Sequence, residues 1–238
     1  HSLDYYKQNG LFAIIALSSN EKSSAGYIKL GWEPFARKKI NIRPVLSSLI
    51  PIKKLQRYSL TRKLRKSKAG LSFTDHMTET LAIELAEYCA GRYPANQVGL
   101  FKDKRFWMYR YAAPHQDYRF IVLKVGPATT GYACYMESVG SRNGMRHVKL
   151  LDISALTDAC FDLLISAIET RTYSKLMLAY MSSPATTEAR RIGRRFRIVK
   201  YEHCNNASDN ILVKPICTET DVTGPHAWGL SYIDIDSM

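Results

Sequence analysis

Apolar and polar positions along the chain fall into blocks whose periods name the elements. Leu11 to Leu17 is an uninterrupted apolar run, the mark of a buried strand, and the residues ahead of it, closed by Gly10, read as the end of a helix. A polar turn follows, and then a short helix that stops at Gly31. Leu49, Ile52, Leu55, Leu60 and Leu64 are interspersed through the next segment, where Pro51 suits the first turn of a helix. Thr74 or Asp75 can cap a further helix whose inner positions are Met77, Leu81, Leu85 and Tyr88, and which ends at Gly91 and Pro94. Arg119 to Val125 and Thr130 to Glu137 read as strands around the turn Gly126-Pro127, with His147 to Ile153 as a third. Ser154 then caps a helix with apolar positions Leu156, Cys160, Leu163, Leu164, Ala167 and Ile168. A strand over Leu176–Met181 leads to a short helix from Pro184 to Ile192, stopped at Gly193. Strands at Phe196–Tyr201, Asn210–Ile216 and near Trp228–Ile233 close the pattern.

This order predicts an α/β (α+β) fold with a mixed, mostly antiparallel sheet flanked by helices. Its late part repeats its beginning. Gly31 and Gly193 end equivalent helices 162 residues apart, about the length of one small domain. The chain accordingly divides into residues 1–45, the C-terminal part of a first unit, then a basic linker over 46–70, and a second unit over 71–238. His1 is not an initiator methionine, and the chain is expected to begin inside the first unit, so that the first copy is incomplete.

Composition narrows the class. A chain of 238 residues with 46% hydrophobic and 23% charged residues has ordinary globular values and can bury a substantial core. No apolar run approaches the roughly 20 residues needed to span a bilayer, and a cytoplasmic location is expected. The five cysteines, Cys89, Cys134, Cys160, Cys204 and Cys217, are widely spaced and match no C-x-x-C pattern, so they read as reduced, mostly buried thiols. His203 beside Cys204 is the nearest thing to a metal corner, but zinc needs three or four ligands, and no metal is expected.

The net charge of +13 is unevenly placed. Lys53 to Lys68 holds eight basic residues and no acid. A solvated linker helix, a patch for an anionic membrane surface and a nucleic-acid or other polyanion patch all fit such a run. The linker reading needs no partner.

The densest chemical signal lies near the start, in S-S-N-E-K-S-S-A-G-Y-I-K-L-G-W. Asn20 precedes Tyr27 by seven residues, Tyr27 precedes Gly31 by four, and Trp32 follows. This stretch resembles the N-x-x-A-x-x-x-Y-x-x-x-G-F segment late in acyl-CoA N-acyltransferase domains, the GNAT superfamily. The resemblance implies that Asn20 and Ser23 contact the thiol-bearing arm of coenzyme A and that Tyr27 is the general acid for the departing thiolate. It implies acetyl-CoA or another acyl-CoA as co-substrate and a small-molecule amine as acceptor, acylated by direct attack. A basic face such as Lys53–Lys68 can also attract the phosphates of such a cofactor.

Each residue has a plainer reading beside the functional one. Tyr27 can pack a helix on a sheet, and Asn20 can cap the helix that follows it. Phe106–Tyr111, with Pro114 and Tyr118, resembles the W-R-Y/F…P…Y stretch that opens the sheet in some tandem members. Trp107 and Arg110 are thus candidate substrate contacts, although Trp107, like Trp32, also reads as a core aromatic, and Arg110 as the partner of a carboxylate such as Asp152. A shift of 162 sets Ser182 under Asn20 and Ala189 under Tyr27, so the second copy lacks both the amide and the phenol. No glycine follows Leu-Leu-Asp-Ile until Gly193, and the copy reads as degenerate for cofactor chemistry. Two other functions stay open: a non-catalytic GNAT-like binding module, and an aminoacyl-tRNA-dependent transferase.

Overall fold

Alternation with a period of two builds the larger of two sheets. A computed structural model of the chain describes residues 13–19, 21–37, 40–45, 50–90, 92, 102–111, 117–140, 144–180, 187–199 and 210–215. Seven strands form the larger sheet, in the order β4 (Ala69–Thr74), β5 (Tyr118–Val125), β6 (Ala128–Val139), β7 (Arg146–Ala155), β8 (Leu176–Tyr180), β3 (Ile40–Pro44) and β9 (Arg197–Val199). Neighbours run antiparallel except β7 and β8, which pair in parallel from His147↔Leu176 to Leu150↔Ala179. The sheet is mixed and mostly antiparallel, as the pattern of the chain predicts.

Along β5, Ile121 and Leu123 face one side, and Phe120 and Val122 the other. Helices α2 (Ile50–Ser67), α5 (Asp158–Arg171) and α6 (Thr187–Arg195) cover the first side through Leu60, Leu164, Ile168 and Ile192. Helices α3 (Glu79–Cys89) and α4 (Lys104–Tyr111) cover the second through Leu85, Trp107 and Tyr111. Each of these buried large side chains contributes about 1.5–3 kcal/mol. Gly126-Pro127 turns β5 into β6 where Val125 pairs with Ala128, and Gly126 has φ +60°, the first central position of a II′ turn.

The smaller sheet has the order β1 (Ala13–Ser19), β10 (Asn210–Pro215), β2 (Glu33–Arg37), with α1 (Glu21–Lys29) joining β1 to β2. β10 comes from the far end of the chain and is antiparallel to both neighbours. The larger sheet shows the reciprocal insertion. β3, which follows β2, lies between β8 and β9, themselves joined by α6. The boundaries at 45 and 71 therefore cut across both sheets, since each strand–helix–strand unit receives its middle strand from the other.

Several local expectations are corrected. Residues 50–70 of the expected linker are not free: α2 packs on α5, Leu60 is buried, and Lys53 is buried with its Nζ donating to Thr172 O at 3.1 Å. Phe106–Tyr111 is helical instead of opening the sheet, because Asp103 Oδ1 accepts from Phe106 N at 2.7 Å and starts α4. Thr74 is held in β4 opposite Phe120, so Thr78 caps α3. Ser154 is held in β7 opposite Tyr132, so Thr157 caps α5. Gly193 lies inside α6, which runs on to Arg195. Gly10, Gly91, Pro94, Pro114, Ser182, His203, Cys204, Cys217 and the strand near Trp228 lie outside the described residues.

Candidate functional site

The small sheet presents α1. Ser23 is exposed in its first turn, and Tyr27 stands half-buried one turn on, so the two hydroxyl-bearing positions share a face about 6 Å apart along the axis. Ser24 on the same side is buried. The helix closes in a left-handed turn: Gly31 has φ +77°, Gly31 N donates to Ile28 O at 2.9 Å and Trp32 N to Tyr27 O at 3.0 Å. That closure brings the Trp32 ring to 4.9 Å from the Tyr27 ring, tilted by 57°, which restricts the phenol. Lys214 of β10 donates from Nζ to Leu30 O at 2.9 Å and Gly31 O at 3.1 Å, setting a cation on the carbonyl end of the helix. Asn20 lies outside the described residues.

The corresponding part of the larger sheet is β8–α6–β9. β8 begins 163 residues after β1, α6 166 after α1, and β9 164 after β2, so no single shift aligns the two units. Counted from the helix start, Gly193 and not Ala189 stands in the place of Tyr27; neither has a hydroxyl. The turn entering α5 is filled by Arg191, a buried residue of α6. Its Nε donates to Asp158 Oδ1 at 2.7 Å, and its two terminal nitrogens to Ala155 O at 2.6 Å and Leu156 O at 3.4 Å. The Arg191 hydrogen bond holds the Asp158 carboxyl below the usual range. Thr157 Oγ1 already accepts from Cys160 N at 3.2 Å. The turn is thus filled by a side chain and its capping N–H is satisfied from within, whereas an open helix start would present free N–H groups to an anion.

On the other face lies a buried polar cluster that the residue pattern conceals. Leu151 is an extra residue in β7, since Cys134 pairs with Asp152 and Tyr135 with Leu150. Without that bulge Asp152 would share the face of Leu150; with it, Asp152 points under α3 and α4. There Lys102 Nζ donates to Asp152 Oδ2 at 2.7 Å, Tyr132 Oη donates to the same oxygen at 2.8 Å, and Cys89 Sγ donates to Tyr132 Oη at 3.6 Å. Burial pushes the Cys89 thiol up to about 11 and the Cys134 thiol well above its ordinary value. Next to the cluster, Ser154 Oγ donates to Glu188 Oε1 at 3.3 Å, where β7 runs on beyond the last β8 pair.

Trp107 is a core residue and not a substrate platform. It is 0% exposed, stacked on Tyr111 at 5.5 Å and 16°, and meets Tyr132 edge-on at 5.4 Å. Arg110 is half-exposed in the last turn of α4, and the buried partner of Asp152 is Lys102. The expected residues thus separate: Ser23 and Tyr27 share one helix of the small sheet, while Trp107 and Arg110 belong to α4 on the larger one. Lys102, Tyr132, Arg191 and Lys214 escape the sequence reading. Only the repeat of Arg43-Pro44 by Lys214-Pro215 leaves a trace of any of them. Among the described residues there is no group of three or more His, Cys, Asp or Glu placed to hold a metal, and no helix long and apolar enough to cross a membrane.

No protein-family model and no curated protein matches the chain by sequence. Solved structures do match its fold. A GCN5-related N-acetyltransferase from Anabaena variabilis is 12% identical, with a TM-score of 0.57 over 91% of this chain and 49% of its own. A conserved protein from Enterococcus faecalis, described as a probable N-acyltransferase, is 8% identical, with 0.57 over 90% and 48%. A GCN5-related N-acetyltransferase from Kribbella flavida is 10% identical, with 0.56 over 90% and 45%. The chain has the GNAT-like α/β fold, and it spans about half the length of these structures.

Proposed function

We propose that the chain is part of an acyl-CoA-dependent N-acyltransferase in which two GNAT-like units exchange a strand. The tandem reading is supported by the reciprocal insertion of β3 and β10, and by the repeat of Ile40-Asn41-Ile42-Arg43-Pro44 in Ile211-Leu212-Val213-Lys214-Pro215. The active unit is the first, and the observation that carries this is α1. It holds Tyr27 half-buried against Trp32 with Ser23 one turn before it, in a fold shared with N-acetyltransferase structures. The second unit is a scaffold, because Arg191 and Asp158 occupy the turn where a pyrophosphate would meet α5.

An acyl-CoA fits α1 in the manner the resemblance implies. Ser23, with Asn20 ahead of it, holds the thiol-bearing arm. An amine nitrogen attacks the thioester carbonyl carbon, a C–N bond forms and the C–S bond breaks. The sulfur leaves with its electron pair and takes the Tyr27 hydroxyl proton, while solvent accepts the surplus proton of the amine. The transferred group is acetyl and the acceptor a small-molecule amine. The solvent side of α2, from Lys54 to Lys68, adds a polyanion contact.

Tyr27→Phe tests the catalytic part in the protein that contains this chain. General acid help is typically worth about 10²–10⁴-fold, so kcat falls within that range while the affinity for acyl-CoA holds, since the ring still packs on Trp32. An unchanged kcat, in a protein that binds acyl-CoA, removes Tyr27 from the chemistry and favours the binding-module reading.

A further inference from the structure

On the first face of the larger sheet, α2 and α5 leave a cavity of about 560 Å³ at the end of α5 remote from its capped start. α5 has 14 residues, so this cavity is about 21 Å from the Thr157 turn and is separate from any cofactor site there. Its size falls in the range of small-molecule pockets, about 300–1,000 Å³. Three arginines from three elements line it: Arg57 of α2, Arg119 of β5 and Arg171, the last residue of α5.

Their states differ. Arg119 pairs with Glu137 Oε1 at 2.6 Å. Arg171 lies over the Phe73 ring at 3.5 Å, which fixes the guanidinium plane and leaves its N–H edge for a ligand. Among the described residues, neither Arg57 nor Arg171 has a carboxylate within ion-pair distance. Asp75, the only carboxylate in the lining among the described residues, lies 3.3 Å from His76 Nε2. The carbonyl end of α5 would oppose an anion here, but Arg171 and the Lys53 ammonium on Thr172 O at 3.1 Å offset it.

We propose that this cavity binds the phosphate group of a small phosphomonoester. Forked guanidinium groups approaching from separate elements match the several oxygens of a dianion, and Phe73 and Tyr135, both on the first face, wall the space for a body the size of a sugar. The site is independent of acyl transfer and of the identity of the active unit.

Calorimetric titration of the full chain at constant ionic strength, with inorganic phosphate and with ribose 5-phosphate, tests this. Both are expected to saturate, ribose 5-phosphate at least about tenfold more tightly because it also fills the cavity. Arg57→Gln and Arg171→Gln, each checked for native circular dichroism, are expected to weaken binding by about 10- to 100-fold, the cost of a charged hydrogen-bonding partner. Arg105→Gln, exposed on α4 at the other face of the sheet and outside the lining, leaves it unchanged. Lack of saturation at millimolar phosphomonoester overturns the proposal. So do equal affinities for the two probes, or wild-type binding by folded Arg57→Gln and Arg171→Gln.

Discussion

Lys102→Met leaves the Asp152 carboxylate 5% exposed, with the Tyr132 hydroxyl in place of two donors. Stranding one member of a buried ion pair costs about 3–5 kcal/mol, several times the worth of an exposed pair. Asp152→Leu strands the Lys102 ammonium, 6% exposed, at a similar cost. The double substitution removes both charges and fills the space with apolar atoms. It should return to within about 1–2 kcal/mol of the parent, the residue being the lost Tyr132 hydrogen bond. The cycle then yields a coupling energy of several kcal/mol between sites in direct contact. With a urea m-value of about 2 kcal/mol per molar, each single variant lowers the unfolding midpoint by about 1.5–2.5 M. Far-ultraviolet circular dichroism reports the transition, and tryptophan emission reports it from Trp107, in edge-on contact with Tyr132 of the cluster. Single variants that cost less than about 1 kcal/mol, or a double variant as costly as their sum, would show that the pair is solvated and refute the buried-cluster account.

Cys89 and Cys134 are expected to resist iodoacetamide at pH 8 in the native protein, while half-exposed Cys160 reacts, as peptide mass spectrometry can read residue by residue. Because burial raises the Cys89 pKa from 9.0 to about 11, the folded state favours the thiol. Its contribution to stability is complete below pH 9 and lost as pH rises through 11, so the urea midpoint should fall across that window. Heparin affinity should drop steeply with salt, and when Lys54, Arg62 and Lys63 become Ser. Lys53→Met should spare heparin binding while lowering stability, because Lys53 is buried on Thr172.

What the residues disclosed follows from the range of the interactions involved. β5, β6, β7, β8 and α5 are legible because their alternation or helical period is set by burial against one face, and strong local turns such as Gly126-Pro127 bound them. The caps lie beyond the expected positions where strand pairing, a non-local interaction, claims Thr74 and Ser154 for the sheet. Phe106–Tyr111 misleads because aromatic residues suit strands, yet Trp107 and Tyr111 are four apart and meet across one helical turn. Tyr27 and Ser23 fall on one helix because their spacing is local. Asp152 could not be aimed from the pattern, since the one-residue bulge at Leu151 reverses its face. Lys102 and Arg191 carry no local mark, because their partners lie 50 and 33 residues away.

The reciprocal placement of β3 and β10 ties the two sheets together. Each carries a cation directly ahead of a proline that pairs with the first residue of the receiving strand: Pro44 with Leu176, and Pro215 with Ala13. Arg43 of β3 donates to Arg195 O at 3.2 Å, the last carbonyl of α6, and binds Glu169 Oε1 at 2.7 Å. Lys214 of β10 donates to the carbonyls that end α1. In both units the connecting helix is therefore closed by a charge borrowed along with the strand, at the end where the helix dipole favours a cation. Proline at the last paired position of each strand fixes the register, since it offers no N–H for a slipped ladder. Separation would remove a central strand and a helix cap from each side at once, which makes partial opening costly. The helix that presents Tyr27 is thus held in place by residues 210–215, which pair with the strands on either side of it and bond its carbonyl end.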